Sequence, residues 1–316
     1  MARDRSAPWR RGAAVVLVLG AVLARGPAAG AGTAGAAGGR LSVVATVNMW
    51  GSIAKQLAGT RASVTSIITN PNTDPHSYEA TPADGRAIAS ARFVIENGVG
   101  YDPWAQRLLD ANPGGSRTVL NVGQFLGVPA DGNPHQWYSP DSVRRFTDRV
   151  TTELSRLDPR DRAYFARQHA AFESALAPYH ALIAQIGAEF GGTPIGASES
   201  IMSPLAAALR LPLVTPTTFL RAISEGTDPT AADKTTVDQQ IQSKAIKVFV
   251  FNSQNSTPDI ARLVSAAKRA AIPVTTVTET LAPPTTTFQA WQVRQLQALR
   301  AALQRAVGRA STAPSS

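Results

Sequence analysis

The chain has 316 residues, 44% of them hydrophobic and 17% charged, with 24 glycines, 22 prolines, four histidines and no cysteine. That apolar fraction rules out disorder over most of the chain, and the length suits two compact lobes. Without cysteine there is no disulfide framework, thiolate metal site, Fe–S cluster, cysteine nucleophile or lipidated cysteine. The formal charge of +9 is in part an end effect, because residues 1–31 carry five arginines against one aspartate. The rest has no run of five like charges and no basic stripe interleaved with aromatics, so nucleic acid is not an expected partner.

MARDRSAPWRR is a basic leader, and residues 12–24 form an apolar core of 13 residues. A membrane span needs about 20 such residues, so this stretch reads as the core of a signal peptide. Ala29-Gly30-Ala31 supplies a small-residue cleavage pattern. Residues 1–31 are therefore expected to be a signal peptide and 32–39 a flexible Gly/Ala linker. The protein is expected to be exported, with retention on an uncleaved anchor as the alternative.

From residue 40 two stretches run the same course. The first reads strand LSVVAT (41–46), helix 49–59, strand VTSIIT (64–69), helix 81–91, strand FVIENG (93–98) and strand TVLNV (118–122). The second reads strand TPIGASE (193–199), helix 201–211, strand LPLVTPT (211–217), helix 233–246, strand KVFVFNS (247–253) and strand PVTTVTE (273–279). Strands alternating with amphipathic helices imply mostly parallel sheets. Between the two, Phe165, Phe172, Leu176, Tyr179, Ile183, Ile186 and Phe190 form one apolar helical stripe. The expected fold is thus α/β: two similar lobes (40–157 and 191–307), each a mostly parallel sheet flanked by helices, joined by one long helix over 158–190. Pro178 is expected to kink that helix or free a carbonyl near Ser174. Residues 308–316 read as a disordered tail.

Phosphate-loop, H-E-x-x-H and G-x-S-x-G motifs are all absent. What remains is a set of loops at the carboxyl ends of strands, where open α/β sheets place ligands. His76 follows VTSIIT in a Pro-His turn, and His135 follows TVLNV in a second. TPIGASE ends on Glu199 and PVTTVTE on Glu279. Two imidazoles from one lobe and two carboxylates from the other suit Zn²⁺, Mn²⁺ or Fe²⁺ and neutralise a divalent ion. Asp74, Tyr78, Glu79 and Trp137 flank the histidines and either support the ligands or shape the turns; turn structure is the favoured reading, with Asp74 suited to an Asx turn. His169 and His180, on the long helix, are read as surface or packing residues.

These residues carry a resemblance. DPHSYEATPAD (74–84) resembles the first-ligand loop, and NPHQWYSPD (133–141) the second-ligand loop, of the solute-binding proteins of transition-metal ABC importers. ASES (197–200) and TVTETLAPP (276–284) resemble the segments that carry the third and fourth ligands. The likeness covers about 40–305. It implies an extracytoplasmic, periplasmic or cell-surface protein, not an enzyme, that binds one Mn²⁺ or Zn²⁺ ion through His76, His135, Glu199 and Glu279. It implies delivery to a membrane permease and a monomeric chain. Many relatives are lipoproteins held by an N-terminal cysteine, and this chain has none. Residues 77–134 contain no histidine, whereas zinc-uptake members often carry a His-rich loop there, and Glu199 stands where some members have His. Both features favour Mn²⁺ slightly over Zn²⁺. Two other readings compete: a metal-dependent hydrolase using Glu199 or Glu279 as base, which lacks a spare group beside four ligands, and a binder of an organic metal chelate, for which aromatics are scarce.

Overall fold

The computed structural model describes residues 40–311. The expected signal peptide and linker, and residues 312–316 of the expected tail, lie outside the described residues. Among the described residues no helix is long and apolar enough to cross a membrane.

The first half contains β1 (Leu41–Val47), α1 (Asn48–Ala58), β2 (Ala62–Ile68), α2 (Pro82–Ser90), β3 (Phe93–Glu96), α3 (Pro103–Ala111), β4 (Thr118–Asn121), α4 (Val122–Leu126) and α5 (Pro140–Leu157). Its four strands pair in the order β2-β1-β3-β4, all parallel. β1 and β3 are buried on both faces, which is why they read as near-continuous apolar runs. α1 buries Met49, Trp50, Ile53, Ala54 and Leu57 at helical spacing. Gly51 lets that helix lie close to the sheet: a Cβ there would sit 2.0 Å from Ser66 Oγ and 3.3 Å from the Ala45 methyl. α2 starts at a capping box in which Thr81 and Asp84 satisfy each other's backbone N–H groups.

The expected single helix over 158–190 is divided. A 3₁₀ turn (Pro159–Asp161) leads into α6 (Arg162–Ala175), and α7 (Ala177–Phe190) follows after Leu176. Pro178, the second residue of α7, has no N–H to offer the Ser174 carbonyl, so the ladder is interrupted where the sequence places the proline. The apolar stripe survives the break: Phe165, Phe172, Leu176, Tyr179, Ile186 and Phe190 are all buried, and Ile183 partly so.

The second half contains β5 (Ile195–Ala197), α8 (Ser203–Ala208), α9 (Thr217–Ser224), α10 (Ala231–Gln242), β6 (Val248–Asn252), α11 (Pro258–Arg269), β7 (Val274–Val277) and α12 (Phe288–Ser311). Its strands pair in the order β5-β6-β7, again parallel. The expected strand 211–217 is reduced to a single bridge between Leu213 and Ile195. Pro212 and Pro216 bracket that run, and neither can donate to a ladder. α12 runs through Ser311, so the first residues of the expected tail are helical.

The two halves meet along a polar seam. Gln56 on α1 and Gln289 on α12 exchange a reciprocal pair of amide hydrogen bonds at 3.1 and 2.9 Å. Tyr138 OH donates towards Gln295 Oε1 at 2.8 Å and the Thr278 carbonyl at 3.0 Å. The carboxyl ends of β2, β3, β5, β6 and β7 lead directly into the loops that meet in this seam.

Candidate metal centre

His76 lies in a 3₁₀ turn (Pro75–Ser77) after β2, set by Asp74, whose Oδ1 accepts from His76 N at 2.9 Å. This is the Asx turn that the Asp-Pro pair suggests. Its side chain is 16% exposed, and its ring packs edge-on against Tyr101 with centroids 4.6 Å apart. Tyr78 donates to Asp84, and Glu79 is exposed, so neither reaches the centre.

His135, in the Pro-His turn expected after TVLNV, is completely buried, with Trp137 5.2 Å from its ring. Asn133 accepts from His135 N at 2.9 Å, and its Oδ1 lies 2.8 Å from His135 Nδ1. The Asn133 amide is oriented by its own Nδ2, which donates to the Ser200 carbonyl at 2.7 Å. An amide oxygen can only accept, so the imidazole proton sits on Nδ1 and Nε2 presents its lone pair.

That lone pair faces Glu279. His135 Nε2 is 3.4 Å from Glu279 Oε2, and His76 Nε2 is 3.7 Å from Glu279 Oε1. One donor atom from each of the three residues falls within 4.8 Å of the others. Ligand atoms bound at about 2.0–2.1 Å to a tetrahedral ion lie about 3.3 Å apart, so these spacings approach those of a chelating set. Both Nε2 atoms are buried without a hydrogen-bond partner, as is Glu199 Oε1. Buried polar atoms are seldom left so, and two Nε2 atoms facing one carboxylate offer the donors that a cation would require.

Glu199, at the end of β5, is fully buried but stands outside the three-residue cluster. Its Oε2 accepts from Asn255 Nδ2 at 3.0 Å. Burial, reinforced by the charge of Glu279, pushes its carboxyl well above the usual carboxylate range, towards the protonated form. Burial alone would raise Glu279 too, but its carboxyl is held below the usual range by its contacts with the imidazoles, of which His76, itself raised by Glu279, is the one that can carry the charge. Glu279 also accepts from Tyr101 OH at 2.9 Å and Asn252 Nδ2 at 2.9 Å. Burial lowers His135, leaving it neutral, whereas at His76 the contact with Glu279 overcomes burial and raises it.

Asn133, Tyr101, Asn252 and Asn255 were not singled out as site residues from the sequence. Asn252 ends β6, so the strand-end rule that found Glu199 and Glu279 could have found it; nothing local marks Tyr101. The remaining histidines lie elsewhere, His169 beside Asp148 at 3.0 Å and His180 exposed. A cleft of about 480 Å³ borders the centre, lined by His76, Tyr101, Asn133, Ser200, Thr217 and Arg221 among others.

The model of the ZnuA family, "zinc-uptake complex component A periplasmic", matches residues 43–302. The chain belongs to this family. The ZnuA-family chain is 29% identical over 124 residues to the manganese-binding lipoprotein MntA of Halalkalibacterium halodurans, covering 38% of this chain and 40% of that protein. It is 25% identical over 158 residues to the metal ABC transporter substrate-binding lipoprotein FimA of Streptococcus parasanguinis, covering 46% and 51%. The chain thus spans about half the length of the curated relatives it matches. The periplasmic zinc-binding protein TroA of Treponema pallidum shares the fold, with a TM-score of 0.71 at 18% identity over 84% of this chain and 99% of that one. The two-lobed α/β architecture of the ZnuA family is therefore that of this chain.

Proposed function

We propose that this protein captures a divalent transition-metal ion, Mn²⁺ or Zn²⁺, and delivers it to an ABC permease for uptake. His76, His135 and Glu279 are the ligands already gathered, and Glu199 joins them once it gives up its proton. The observation that carries this reading is the pair of unpartnered, buried Nε2 atoms aimed at one ionised carboxylate. Family membership supports a binding component rather than a catalyst, and the names of MntA and FimA support a permease as partner. The N/O donor set favours transition metals over Ca²⁺ and Mg²⁺. Zn²⁺ binds tighter than Mn²⁺ at almost any such site, so preference in the cell follows supply as well as affinity. The lack of histidine over 77–134 and the carboxylate at 199 favour Mn²⁺ as the cargo.

Competition titration of chelator-stripped protein tests the proposal. About one equivalent of Mn²⁺ or Zn²⁺ is expected, undisturbed by equal Ca²⁺ or Mg²⁺. Displacement by either alkaline-earth ion at equal concentration would overturn it.

A further inference from the structure

The segment 252–255 (Asn-Ser-Gln-Asn), which runs out of β6, sets three amide side chains around the centre. Asn252 donates to Glu279, and Asn255 donates to Glu199 and, at 3.2 Å, to the Ile223 carbonyl. Gln254 touches neither carboxylate. Its Oε1 accepts from Thr280 N at 2.9 Å, one residue beyond Glu279, and its Nε2 donates to Thr280 Oγ1 at 2.7 Å. The same Nε2 donates to the carbonyl of Pro71. The Gln254 backbone is itself fixed, donating its N–H to Asn252 Oδ1 at 3.0 Å.

Pro71 belongs to the other half of the molecule, on the loop between β2 and His76. Among the described residues, Gln254–Pro71 is the one hydrogen bond from segment 69–81 to the second half; the other polar contact there is His76 with Glu279. The His135 side is secured differently, by Asn133 on the Ser200 carbonyl and by Tyr138 on Gln295. His76 is also the least buried member of the donor set, since His135, Glu199 and Glu279 are fully buried and the cleft opens beside His76. An ion that leaves does so past His76.

The geometry points to Gln254 as a positioning residue, a latch that holds the His76 loop against the Glu279 loop and sets how slowly a captured ion escapes. This inference rests on the metal-binding reading above. Removing the latch frees the loop that carries the outermost ligand and leaves the three inner groups with their own partners. Its effect falls on release rather than capture, because an arriving ion meets the inner donors whether or not the loop is tied. One hydrogen bond of ordinary net strength corresponds to about a five- to tenfold change in rate.

The experiment loads the full chain with Zn²⁺, adds excess chelating dye and follows release by stopped flow, for wild type, Gln254→Met and Thr280→Val. Thr280→Val removes the Oγ1 contact but keeps Thr280 N–H and the Pro71 bond. Gln254→Met is expected to speed release about five- to tenfold with association changed less than about twofold, and Thr280→Val to stay within about twofold of wild type. Hydrogen exchange on the loaded protein gives an independent reading: Gln254→Met should raise exchange over 69–78 and leave 197–203 unchanged. Wild type that takes up no Zn²⁺ overturns the metal reading and the latch together. Wild type that binds while Gln254→Met releases at the wild-type rate, or matches Thr280→Val, overturns the latch alone.

Discussion

Asn133 Oδ1 lies 2.8 Å from His135 Nδ1, and this contact decides which imidazole nitrogen faces Glu279. Without that acceptor the ring can place its proton on Nε2, where it would repel a cation. Asn133→Leu is expected to weaken metal binding by about 10–100-fold, the usual cost of losing an outer partner of a ligating histidine. Asn133→Asp keeps the acceptor and should retain most of the affinity. Calorimetric titration measures both, and nitrogen chemical shifts of His135 report the tautomer; unchanged affinity in the leucine variant would refute the assignment.

Metal binding should release protons. In the metal-free protein the pKa values of Glu199 and His76 are both raised, and as ligands both would have to give up any proton they hold. Protons compete with the ion, so affinity should rise as pH rises from about 5.5 to 7.5, through the range set by the ordinary His value of about 6.5 and its upward shift at His76. Calorimetry in two buffers of different ionisation enthalpy should find a net release of protons on metal binding, shrinking as pH rises. Affinity independent of pH would count against both groups.

Glu199 also costs the metal-free protein stability in one direction of pH. Its folded pKa lies above its unfolded value of about 4.5, so its stabilising contribution is complete below that value and fades as pH rises. Glu199→Gln removes the titration and keeps an oxygen for Asn255. The metal-free variant should melt above wild type at pH 8, with the gap closing towards pH 5, while its metal-induced shift largely disappears. A gap that widened on acidification would reverse the sign and sink the assignment.

The two site histidines should separate in a melting series. Saturating metal at 100 times its Kd stabilises a fold by about 2.7 kcal/mol, and either His76→Ala or His135→Ala should abolish most of that gain. His135→Ala should also lower metal-free stability, because the ring is buried and held by Asn133, with Ser200 Oγ 3.2 Å away. His76, partly exposed, should cost little without metal. His169→Ala and His180→Ala should leave the metal shift intact; losing it there would place the site wrongly.

The sheets were readable because parallel strands buried on both faces announce themselves as apolar runs, as in LSVVAT and KVFVF. The meeting of His76, His135 and Glu279 was readable because the loops at the strand ends of open α/β sheets converge, whereas Glu199, read by the same rule, stands outside their cluster. The apolar run 211–217 misled for a physical reason: hydrophobicity alone suggested a strand, and Pro212 and Pro216 deny it the ladder. The long helix was right in its stripe, and Pro178 marked its break near Leu176. The burial of His135 and the hydrogen bonds from Tyr101, Asn252 and Asn255 were not readable. Tyr101 lies 178 residues from Glu279, and such a contact exists only once the halves have met.

Trp137 stands with its indole centroid 5.2 Å from the His135 ring and 6.2 Å from that of Trp50. The protein therefore carries its own optical reporter beside the centre. A paramagnetic ion held there should quench indole emission, whereas diamagnetic Zn²⁺ should alter it only through the local field. Loading with Mn²⁺ and then exchanging it for Zn²⁺ would be visible as recovery of light from unlabelled protein, so occupancy could be followed in real time without a dye.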